Sequence, residues 1–130
     1  MLHPSQFEVN EAWIAFRLNR VPIETEVDGD LNCIALMDAA SCYLLGMELI
    51  SISAEDLTPM QCRRLIESAR EHKQELPRTL FVPQEDNPVT LMSEAAHNEI
   101  DVVRVPESNL LAIIGEAREG FAERFGGGAQ

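Results

Sequence analysis

Carboxylates are the chemically capable side chains that this 130-residue sequence supplies in quantity: 22 Asp and Glu stand against 10 Lys and Arg, a formal charge of −12. Converging carboxylate oxygens can hold a hard divalent cation, and a cation so held can activate water against a phosphodiester. Asp38, Glu48, Asp86 and Glu116 form one candidate set for such a metal site, and with it a phosphohydrolase or nuclease activity. Glu24, Glu26, Asp28 and Asp30 form a second acidic group at every other position, so an extended conformation would put all four on one face. That face suits a basic partner or a cation. It lacks the further ligands and the distant Glu of a calcium loop, and a solvated loop is the bland alternative. Ser41 follows Asp38 at three residues, which reads as a turn bonding its own backbone rather than as an acid beside a nucleophile.

The remaining reactive residues point away from catalysis. His3, His72 and His97 are far apart, and none has a second ligand at helical or hairpin spacing. His72 and His97 fall toward helix C-termini, where an imidazolium suits the helix dipole. Cys33, Cys42 and Cys62 are odd in number, with no CxxC spacing. They are expected to be buried thiols in a reducing compartment, a Cys33–Cys42 disulfide across a hairpin being the alternative. No phosphate-binding glycine motif and no Ser, His, Asp arrangement is present, so nucleotide binding and nucleophilic catalysis have no local support and no cofactor is expected. With a charge of −12 there is no basic track to neutralise phosphates or meet an anionic leaflet, which excludes DNA, RNA and membrane surface as favoured partners. The densest basic group, Arg63, Arg64, Arg70 and Lys73, reads as the solvent face of a helix, or as a contact to an acidic partner. The longest apolar runs are broken by Asp38 and Glu48, and the first residues lack the basic and apolar regions of a signal peptide. A cytoplasmic protein is expected.

These residues are carried by eight elements. Glu11 to Leu18 alternates Ile14, Phe16 and Leu18 with Trp13 and Ala15, a strand covered on both sides. A polar connection runs from Asn19 to Asp30. Leu31 to Met37 and Cys42 to Ser51 are apolar strands joined as a hairpin through Asp38-Ala39-Ala40-Ser41. Thr58-Pro59-Met60-Gln61 is a capping box with proline in the first turn, opening a helix that buries Cys62, Leu65, Ile66 and Ala69. Arg78 to Val82 is a short strand. Asn87-Pro88 caps a helix with a stripe of Val89, Met92, Ala95 and Ala96. Ile100 to Val105 is the fifth strand. Ser108 caps a last helix whose stripe is Leu110, Leu111, Ile114, Ala117, Phe121 and Phe125. Met37, Met47 and Met92 sit at core spacing. Three antiparallel strands followed by alternating helices and strands require right-handed parallel crossovers. The expected architecture is an α/β domain over residues 1–125, a mixed five-stranded sheet with helices on both faces, and a flexible tail at 126–130.

This order resembles the ribonuclease H-like fold, and local residues are similar to retroviral integrase and transposase cores. Trp13 opens the first strand. Ala35 to Gly46 looks like their second hairpin, a hydrophobic strand followed by Asp-x-x-Ser, an aromatic and Gly, and Pro77 to Val82 with Glu99-Ile100-Asp101-Val102 is similar to the stretch around their second catalytic carboxylate. The resemblance covers roughly residues 11–125 and implies two divalent metals held by an Asp on the first strand, an Asp past the fourth strand, and a Glu or Asp on the last helix. Here those positions are Phe16, about Pro83, and Ala112 or Ile113, none of which is a ligand. A slipped register brings in Glu85, Asp86 or Glu116, but Ala12 to Phe16 contains no carboxylate. The leading expectation is therefore a non-catalytic binding or assembly domain with a protein partner or a second copy of itself. A metal-dependent phosphohydrolase using Asp38, Glu48, Asp86 and Glu116 is the second reading, and a small-molecule binding domain the third.

Overall fold

The computed structural model describes residues 1–54 and 56–125 of the chain, and the expected tail at 126–130 lies outside them. β1 (Ala12–Arg17), β2 (Leu31–Asp38), β3 (Leu44–Ser51), β4 (Thr79–Pro83) and β5 (Asp101–Val105) form one sheet in the order β3-β2-β1-β4-β5. β1 to β3 are antiparallel neighbours, and β1, β4 and β5 run parallel. This is the mixed sheet expected from the element order.

β1 is the middle strand, and its period of two explains why it is almost wholly buried. Ala12, Ile14 and Phe16 face a cluster closed by Leu110, Ile113 and Ile114 of α3 (Leu111–Phe125) and the turn before it. Trp13 and Ala15 face the opposite cluster, closed by α1 (Pro59–Lys73) and α2 (Val89–His97). A strand with helices on both sides has no solvated face, so its residues read as a continuous apolar run.

α1 begins as its local sequence dictates. Thr58 Oγ1 accepts the Gln61 N–H at 3.1 Å, Gln61 Oε1 accepts the Thr58 N–H at 3.0 Å, and Cys62, Leu65, Ile66 and Ala69 are buried. α2 departs from expectation. Pro88 takes the cap position with no side-chain cap of its own, and the carboxylate of Asp56, 34 residues earlier, accepts the Thr90 N–H at 2.8 Å. Leu91 and Ala95 are its buried residues, whereas Val89 and Ala96 are exposed. The larger side chain, Leu91, takes the place against α1 and the sheet. The last helix also begins later than expected: a 3-10 turn spans Glu107–Asn109, Leu111 is exposed, and Ile113 is buried in its place. The side chain of Phe125 lies outside the description. β3 begins at Leu44 because Cys42 adopts φ 61° in the preceding turn, and Met47 is 52% exposed rather than core.

Candidate functional site

The C-terminal ends of the parallel strands are tied together by guanidinium groups. Arg118 enters from α3 at 6% exposure, and its Nε and Nη2 donate to the carbonyl oxygen of Arg17, the last residue of β1, at 3.0 and 2.9 Å. Nη2 also donates to Glu107 Oε1 at 2.8 Å, and the guanidinium carbon lies 5.7 Å from the centre of the Phe16 ring. The Glu107 N–H in turn donates to Glu85 Oε1 at 2.9 Å. Arg104 of β5 donates to the carbonyl of Pro83 at the end of β4 and to those of Gln84 and Asp86 beyond it. β1, β4, β5 and α3 are thus joined by two arginines satisfied largely by main-chain oxygens. A guanidinium suits this role because its donors are fixed in a fork and its charge tolerates an aromatic face.

Two carboxyls respond to this cluster in opposite senses. The hydrogen bond from Arg118 holds Glu107 below its ordinary value against an opposing effect of burial. Asp86 is pushed up, first by burial and then by Glu107, with Arg17 and Arg118 only partly offsetting this.

The candidate metal set is dispersed. Asp38 ends β2 opposite Trp13, whereas Asp86 follows β4 beside the Arg17 end of β1. Four residues of strand separate those ends, roughly 13 Å. Asp38 is fully buried and satisfied locally: Oδ1 accepts the Asn10 N–H at 2.7 Å, and Oδ2 accepts the Ser41 N–H at 2.8 Å and its hydroxyl at 2.6 Å. Asn10 Oδ1 then accepts the Trp13 indole N–H at 2.7 Å, so Asp38 and Trp13 share one turn-bracing network. Glu48 lies on the edge strand, paired with Arg64 at 2.8 Å. Glu116 sits on α3 beside Cys42. Among the described residues no group of three or more His, Cys, Asp or Glu is arranged to hold a metal ion.

The other candidates are equally separate. Glu24, Glu26, Asp28 and Asp30 are all exposed, but not on an extended face: the Thr25 hydroxyl accepts the Asp28 N–H at 3.0 Å and donates to the Gly29 carbonyl, bending the segment into a turn. All three cysteines are free, with Cys33 and Cys62 buried and Cys42 half-buried. Burial pushes the Cys33 and Cys62 thiols up to about 11, with Glu48 adding at Cys33 and Asp56 at Cys62. His72 packs edge-on against Tyr43.

Phe16, the first ligand position implied by the resemblance, is buried under Arg118, and Pro83 and Ile113 are buried as well. Arg118 and Glu107 were not among the residues singled out from the sequence. The available signal was Arg118 itself, a charge four residues after Ile114 and three before Phe121 on the apolar side of the helix. An adjoining cleft of about 180 Å³ opens on the α2 side, lined by Ala15, Ile34 and Leu91 and shared with the arginine cluster through Arg17 and Asp86. It is smaller than the roughly 300–1,000 Å³ of most small-molecule pockets.

No family model matches the sequence, and no curated protein matches it. Solved structures do match in fold. A chain of the simian T-cell lymphotropic virus intasome, in complex with PP2A regulatory subunit B56 gamma, is similar with a TM-score of 0.58 and 11% identity over 88% of this chain. The HTLV-2 integrase catalytic core domain in complex with magnesium, in its trimeric form, gives a TM-score of 0.53 and 9% identity over 88% of this chain. This chain spans 39% of the first of those chains and 68% of the second. Its architecture is therefore ribonuclease H-like. Within that class the particular likeness is to retroviral integrase catalytic cores, and at these identities it is a likeness of fold.

Proposed function

We propose that residues 1–125 form a non-catalytic binding or assembly domain on a ribonuclease H-like scaffold. The observation that carries this reading is Arg118. Its buried guanidinium lies over Phe16 at the end of β1, the strand that supplies the first metal-holding carboxylate in the enzymes the fold resembles. That guanidinium, already paired with Glu107, fills the space beside β1, and β1 offers no carboxylate to hold a cation in its place. The excess of 22 acids over 10 bases further disfavours a nucleic-acid substrate, leaving a protein partner or a second copy as the natural ligand. Three free thiols suit a reducing, cytoplasmic setting.

Calorimetric titration of Mg²⁺ and Mn²⁺, with thermal unfolding in parallel, tests the proposal, because a site specific to the native state must raise stability by mass action. The expected result is weak binding that vanishes with added salt, and no cleavage of labelled single- or double-stranded DNA or RNA. A saturable micromolar site with a raised melting temperature, or metal-dependent cleavage, would overturn it.

A further inference from the structure

β3 leaves an apolar strip uncovered on the α3 side of the sheet. Met47 pairs with Ala35 and Leu49 with Cys33, and because Ala35 and Cys33 belong to the cluster under α3, Met47 and Leu49 share that face. That cluster draws on β3 only through Leu44, so the helix covers the outer strand at its start and leaves the rest open. Met47 and Leu49 consequently stand 52% and 51% exposed, side by side on an edge strand. Neighbouring exposed apolar side chains of this size mark interaction surfaces more often than scattered ones do.

Both ends of the strip are acidic. The turn carrying Glu24, Glu26, Asp28 and Asp30 adjoins the far end of β3: Leu31 pairs with both Ser51 and Ile23, and the Ile52 N–H donates to the Asp30 carbonyl at 3.1 Å. At the near end Glu116 of α3 flanks a shallow groove with Cys42 and Leu44. Addition of a strand to the edge itself is impeded, because Gln61 Nε2 donates to the Leu49 carbonyl at 2.8 Å and the Ser68 hydroxyl to the Leu45 carbonyl at 3.2 Å. The open approach is face-on, across the side chains.

We infer that the α3-side face of β3 docks a basic amphipathic segment of a partner protein, its apolar side on Met47 and Leu49 and its Lys or Arg side chains toward Glu116 and the Glu24–Asp30 turn. Charge complementarity selects this occupant over a second copy, since two chains of −12 repel each other. The inference rests on the binding-domain reading and names the chemistry of its partner.

The test uses the full chain and a short fluorescein-labelled peptide of Leu and Lys at helical spacing, with two controls: a scrambled peptide of the same composition, and a Leu and Glu counterpart. Fluorescence anisotropy should saturate with the Leu and Lys peptide alone. Met47→Gln with Leu49→Gln should weaken binding about tenfold, as should neutralising Glu24, Glu26, Asp28 and Asp30 to Gln or Asn. These positions are exposed, so unfolding midpoints should stay near wild type; if the apolar pair fails to fold, the charge variant and the scrambled peptide still decide. Equal binding of the scrambled peptide, or indifference to Met47 and Leu49, would reduce the effect to non-specific charge attraction and overturn the inference. So would sedimentation showing a wild-type dimer that Met47→Gln with Leu49→Gln dissociates. Failure of the peptide with a silent metal titration would remove this surface and leave the non-catalytic reading standing.

Discussion

Arg118 is the residue whose chemistry most constrains the molecule. Replacing it with Met keeps an unbranched apolar stem but strips the Arg17 carbonyl and Glu107 of their donors. The loss should be about 1–3 kcal/mol, tempered because Glu107 is partly exposed and can hydrate. Chemical denaturation of Arg118→Met against wild type measures it, and Arg118→Lys should recover little, since an ammonium cannot fork to both acceptors. The two perturbed carboxyls make opposite contributions to acid stability. Glu107, lowered from 4.5, contributes stability that is present above that value and is lost as pH falls through its folded value below it. Asp86, raised from 3.8, penalises the folded state once ionised, and the penalty is relieved as pH falls through its folded value. Asp86→Asn should therefore be more stable than wild type at neutral pH, the gap closing toward pH 3.8; a destabilised Asn variant at neutral pH would contradict the burial explanation. Burial raises all three thiols, and Glu116 and Asp38 add at Cys42, but only Cys33 and Cys62 are closed to solvent. Ellman's reagent near pH 8 should therefore react slowly with the half-buried Cys42 in the native protein and with all three after unfolding.

The helices differ in how far their own sequence controls them. α1 carries its capping box and its apolar spacing within a few residues, and its start and buried face were legible for that reason. α2 takes its cap from Asp56, a residue far away in sequence, so no local pattern could reveal it. Asp56→Ala should cost about 1 kcal/mol, the usual value of an N-cap. Its signature should be faster amide exchange in the first turn of α2 with α1 unaffected, whereas a uniform change would mean that Asp56 acts elsewhere. α3 was legible as a helix but not in its contacts. A charged side chain inside an apolar stripe reads as an interruption until the carbonyl at the end of β1 is known to lie opposite it. The hairpin behaved likewise: the Asp38–Ser41 turn is local and was readable, but the exposure of Met47 depends on where α3 ends its cover over the sheet.

At the scale of the whole molecule, charge and topology act separately. An excess of 12 negative charges on a small fold produces self-repulsion that added ions screen. The melting temperature should rise with NaCl, and MgCl₂ at matched ionic strength should do no more; an additional rise with Mg²⁺ would reveal a cation site. Among the described residues no helix is long and apolar enough to cross a membrane. The amino-acid sequence by itself determined the element order, the antiparallel hairpins followed by parallel crossovers, and the absence of a carboxylate on β1, because period, caps and residue identity are local properties. Only the tertiary structure decided that the scattered acids Asp38, Glu48, Asp86 and Glu116 stay apart, that Arg118 is buried against Phe16, and that Met47 and Leu49 are left open beside an acidic turn. Those are facts of register and of helix placement over the sheet. They depend on contacts between residues as distant in sequence as Arg17 and Arg118, whose meeting no local pattern encodes.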